Sequence, residues 1–66
     1  MNLKANQETA KHLRAIREQL SRLEEVIEQA EGNVADNACN WGDAGSAEHI
    51  LELVQQAADF ATGSNL

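Results

Sequence analysis

LRAIREQLSRLEEVIEQA, residues 13 to 30, decides how this chain folds. Its apolar positions Leu13, Ile16, Leu20, Leu23, Ile27 and Ala30 step alternately by three and four residues. That spacing lines one side of a helix with a heptad seam, whereas on a strand the same residues would scatter over both faces. Upstream the frame falls on Asn2, Asn6 and Thr9, so the seam turns polar and the first turns of the helix are weaker. Downstream, Gly32-Asn33 predicts a stop, because glycine tolerates the left-handed conformation that closes a helix C-terminus. The first helix is therefore expected over about residues 4 to 31, near 40 Å at about 1.5 Å per residue.

Residues 32 to 45 mix Gly, Asn, Asp and Ala with Val34, Cys39 and Trp41, and predict a long connection with a turn of helix around Val34 to Cys39. A second helix is expected over about 46 to 62. Asp43 or Ser46 would cap its start, Glu48 would favour the positive end of its dipole, and Thr62-Gly63 would end it before a tail at Ser64, Asn65 and Leu66. Ile50, Leu53, Val54, Ala57, Phe60 and Ala61 form its apolar stripe, widened by Leu51 and Ala58. Proline and tyrosine are absent and Phe60 is the only phenylalanine, which leaves strands little to build on. The expected fold is all-α: a helical hairpin made of a long heptad helix, a Trp-Gly turn and a shorter amphipathic helix.

A chain of 66 residues sits where one core barely offsets the entropy of ordering it. Small domains meet that difficulty with disulfides, a metal or oligomerisation. Cys39 is the only cysteine, which excludes an intrachain disulfide and fits a reducing compartment. Cys39, His12 and His49 lack the paired spacings of a closed zinc site, so no metal and no cofactor are expected. Self-association is left, with Leu13, Ile16, Leu20, Leu23, Ile27, Ile50, Leu53, Val54 and Phe60 as the oligomer core. No apolar run suits a membrane span or a signal peptide, and the protein is expected to be cytoplasmic.

The formal charge is -6 and unevenly spread. Lys4, Lys11, Arg14, Arg17 and Arg22 all lie in the first 22 positions, opposed only by Glu8 and Glu18, while nine acids and no Lys or Arg follow Leu23. In an antiparallel hairpin Asp59 falls near Arg14 and Arg17, and Glu24 to Glu31 lie beside Asp43 and Glu48. One end would be basic and the other acidic. Two such hairpins running in opposite directions would set basic heads against acidic ends, which predicts an antiparallel homodimeric four-helix bundle. Each exposed ion pair adds only about 0.2 to 1 kcal/mol, so charge would select orientation while the apolar seams supply stability.

Trp41, the single tryptophan, stands between Asn40 and Gly42. It reads either as a ring closing the end of the bundle or as an exposed anchor for a partner. Gly42-Asp43-Ala44-Gly45-Ser46 has the look of a phosphate-binding helix start, but no strand precedes it, no Lys follows Gly45, and Asp43 would repel an anion. Ser46 and His49 share a helix without an orienting acid or oxyanion hole, so no enzyme activity is expected. The leading functional expectation is an acidic protein-binding module, a regulator or inhibitor whose general form is similar to small bacterial, phage- or plasmid-encoded proteins. A second is a bundle that captures a nucleotide-like anion at a subunit boundary, using Trp41, Asp43 and Ser46 with Lys4, Lys11 and Arg14 of a partner chain. A third is RNA binding by the basic head, against which the nine downstream acids weigh.

Overall fold

Asn2 begins the first helix: its backbone is extended and its side-chain oxygen accepts the Ala5 N–H at 3.0 Å, which satisfies one of the free donors of the first turn. From there α1 runs over Leu3–Ala35, 33 residues, in a computed structural model that describes residues 2 to 64. The polar upstream part of the seam is helical as well, its hydroxyl group folded back onto the backbone. Thr9 returns that hydroxyl to the Ala5 carbonyl at 2.8 Å.

The expected stop at Gly32-Asn33 is corrected. Gly32 lies inside α1, and the helix closes four residues later than predicted, where Asp36 donates its N–H to the Gly32 and Val34 carbonyls. Asn37 takes the left-handed conformation with φ 56°, the only non-glycine with positive φ among the described residues. Asparagine is the residue other than glycine that most readily fills this role. No glycine takes positive φ, so the chain uses its Asn rather than its Gly to leave the helix. A Cβ at Gly32 would meet nothing within 4 Å. Gly32→Ala is therefore expected to stabilise the last turns of α1 by about 1 kcal/mol, read as a higher midpoint in thermal unfolding followed by circular dichroism.

The connection is also shorter than expected. It spans 36 to 40, and α2 then occupies Trp41–Gly63, 23 residues. Its start is fixed by a capping box in which Asp43 donates its N–H to the Asn40 side chain and Asn40 donates its N–H to the Asp43 carboxylate, both at 3.0 Å. Asn40 is the cap, in place of Asp43 or Ser46. Asp43 is the third helical residue, Ser46 lies in the helix interior, and Glu48 falls beyond the first turn. Asn40→Ala removes one half of the box and orphans the other, and should cost about 1 kcal/mol with visible loss of helicity at the α2 start. At the far end Ser64 donates its N–H to the Phe60 carbonyl, and the expected tail at Asn65 and Leu66 lies outside the described residues.

The all-α expectation holds, since every element among the described residues is an α-helix. No described residue is buried; Ala10, Leu23 and Ile50 are partly shielded and the others are exposed. Both helices carry apolar stripes that their own turns cannot cover.

Candidate functional site

Because α1 reaches Ala35, its seam gains Val34, one four-residue step beyond Ala30. The stripe Leu13, Ile16, Leu20, Leu23, Ile27, Ala30 and Val34 then spans three heptads, about 32 Å at about 1.5 Å per residue. Leu13, Ile16, Leu20 and Ile27 each keep between 44% and 49% of their surface exposed. A shallow, open and almost wholly apolar groove runs along the stripe between His12, Ile16, Gln19, Leu20 and Leu23. Arg17, Glu24 and Glu31 border one side of the seam, and His12, Gln19 and Val26 the other.

The predicted binding cations are placed differently. Lys4, Lys11 and Arg14 fall within about 80° of one another on the side of α1 opposite the seam, at about 100° per residue. Among the described residues the one close contact between a basic side chain and a carboxylate joins His12 Nε2 to Glu8 at 3.8 Å, between exposed groups. Arg22 donates to the Gln19 side chain at 3.2 Å, and no Lys or Arg among the described residues is paired with an acid.

The start of α2 does not gather Trp41, Asp43 and Ser46 into one concave site. As the first helical residue, Trp41 has a direction set by the helix, whereas Asp43 and Ser46 lie about 140° to 160° away from it around the axis at about 100° per residue. Asp43 is committed to the cap, and its carboxylate places negative charge where a bound anion would need free N–H groups. The ring of Trp41 is 91% exposed, the highest value among the large apolar side chains described.

Helical phase also turns Trp41 away from the centre of the α2 apolar stripe, placing it about 180° from Ile50 and about 160° from Ala57, while Phe60 and Leu51 at the stripe's edges lie about 100° and about 80° from it. The residues that share its side are Glu48, Glu52, Gln55 and Asp59, all within about 40° of the Trp41 direction. All four are exposed. Reading Trp41 as part of the connection, where it has no helical phase, hides this acidic row headed by an indole. The signal was present in the Asn40-x-x-Asp43 spacing, which marks a capping box and puts Trp41 on the helix.

Cys39 is a free, exposed thiol in the connection, and no grouping of three or more His, Cys, Asp or Glu suited to a metal occurs among the described residues. No helix among the described residues is long and apolar enough to cross a membrane. Together these features define an all-α chain of two amphipathic helices, one with a heptad seam and the other with an acidic face headed by tryptophan. The chain matches no protein-family model, no curated protein and no solved structure.

Proposed function

We propose that this chain is a non-enzymatic protein-binding module, assembled as an antiparallel homodimeric four-helix bundle, that docks a basic protein surface on the outer face of α2. The observation that carries this reading is the placement of the exposed Trp41 ring on the same side as Glu48, Glu52 and Asp59, opposite the apolar stripe. A bundle consumes the stripes of both helices, and a five-residue connection is of the length that joins neighbouring helices in bundles. The Trp41 face is left outside. An indole suits a lysine or arginine head by cation–π contact, and the carboxylates that follow supply charge and steer association. Such a face would compete with nucleic acid for a basic groove, which gives the module the role of a regulator or inhibitor.

Charge argues against the nucleotide and RNA readings at this face. The groups around Trp41 are acidic, and Lys4, Lys11 and Arg14 occupy the side of α1 away from its seam. Trp41 fluorescence tests the choice. Titration with an arginine- and lysine-rich peptide should shift and quench its emission, with an affinity that falls as salt rises. Nucleotides and single-stranded RNA should leave the emission unchanged. A response to nucleotides without one to basic peptides would overturn the proposal. Glu48→Lys with Glu52→Lys should weaken peptide binding about tenfold or more, since each lost pair becomes a like-charge contact.

A further inference from the structure

Among the described residues the α1 stripe is the longest apolar face, exposed within its own helix, and the charges beside it select both an occupant and a register. We infer that α1 pairs antiparallel with α1 of a second copy in the register that sets Leu20 against the partner's Leu23, a deepening of the homodimer proposed above that rests on that reading. In this register Leu13 meets the partner's Ala30, Ile16 meets the partner's Ile27, and each pairing recurs by the two-fold axis. Val34 falls opposite the partner's Thr9, whose hydroxyl is bonded to its own helix backbone in this chain and therefore asks nothing of the layer.

Three observations support this alignment: two bear on the register and the third on the antiparallel sense. First, Arg17 and Glu24 both border the same side of the seam, and antiparallel pairing brings Arg17 to the partner's Glu24 twice. Sliding the copies by one heptad toward their C-termini keeps six apolar layers and brings Arg17 to the partner's Glu31 twice, but it adds a repulsion of Glu24 against the partner's Glu24 that the first register lacks. Sliding the other way sets Arg17 against the partner's Arg17. Second, the five cations centre near about residue 14 and the acids Glu24, Glu25, Glu28, Glu31 and Asp36 near about residue 29, and this register places those two centres opposite each other. A parallel pair would stack cations on cations. Third, the charges at the ends of α1 oppose its own dipole: no acid lies in its first turn and no base in its last, while Lys4 sits at the positive end and Asp36 at the negative end. An antiparallel copy brings acids to the first end and bases to the second. Among the described residues no Lys or Arg of α1 is paired with an acid of the same helix, which leaves these side chains to the second copy.

The test combines mass, distance and charge exchange on the full chain. Sedimentation should give the mass of two copies. A spin label at Lys11→Cys, in a Cys39→Ser background, lies on the outer side of α1, about 32 Å along the axis from its counterpart in this register, so the measured label distance should fall near 30 to 40 Å, by about 1.5 Å of rise per residue. Arg17→Glu should weaken dimerisation about fivefold or more, adding Glu24→Arg should restore it, and adding Glu31→Arg instead should not. A dimer with label distances below about 25 Å would show parallel chains and overturn the inference. A dimer with distances above about 42 Å, rescued by Glu31→Arg, would overturn this register and leave self-association standing. One-copy mass at all concentrations reached would overturn both.

Discussion

Leu20→Asp combined with Leu23→Asp is expected to reduce the proposed dimer to single chains and to remove much of its helical signal. The two leucines occupy the middle of the α1 seam, and Leu23 is one of the few partly shielded residues in the chain. Burying each leucine in an interface is worth about 1.5 to 3 kcal/mol, and a dimer holds four of them, so about 6 to 12 kcal/mol of association is at stake before the cost of desolvating the new carboxylates. Dissociation constants should rise by about four orders of magnitude or more. Helicity should fall with assembly, because most helix stability in proteins comes from packing an amphipathic face, and no residue described in the chain is buried without a partner. Circular dichroism and sedimentation on the same samples check this. Glu18→Gln on the outer side of α1 is the control, with an expected change within about 0.5 kcal/mol. An unchanged mass and spectrum for the double substitution would remove the seam as the source of assembly.

Trp41→Ala should have the largest effect on partner binding with little effect on assembly. The cap of α2 is made by Asn40 and Asp43, so the indole contributes no hydrogen bond to the helix start, and its position opposite Ile50 keeps it out of the apolar stripe. Tryptophan at the centre of an interface typically carries about 2 kcal/mol or more, which is about thirtyfold in affinity for a basic partner. Calorimetric titration with the basic peptide should show that loss at unchanged mass and helicity. If removal of the ring instead dissolved the dimer, Trp41 would be a packing residue and the outer-face proposal would fail.

Much of this architecture could be read from residue spacing. The heptad pattern of Leu13 to Ala30 and the stripe of Ile50 to Ala61 identified both helices and the side of each that seeks a partner. The boundaries between them are harder to read because glycine obscures them. Gly32, Gly42 and Gly45 suggested an irregular segment, yet a glycine in an exposed helix costs only about 1 kcal/mol, less than the turns on either side return. Asn37 and the Asn40 and Asp43 box hold the actual ends through side-chain and backbone geometry.

That shift of boundaries changed the meaning of the candidate residues. Composition and periodicity by themselves determined that the chain is helical, that all its Lys and Arg lie in the first 22 positions and that each helix carries an apolar stripe. Only the three-dimensional structure decided that Val34 belongs to the seam, and it showed the Asn40 and Asp43 box formed, with Trp41 as the first residue of α2. The physical reason is that a side chain in a connection has no fixed azimuth, whereas one at the first position of a capped helix inherits the 3.6-residue period. Through that period Trp41 turns away from Asp43 and Ser46 and joins Glu48, Glu52 and Asp59.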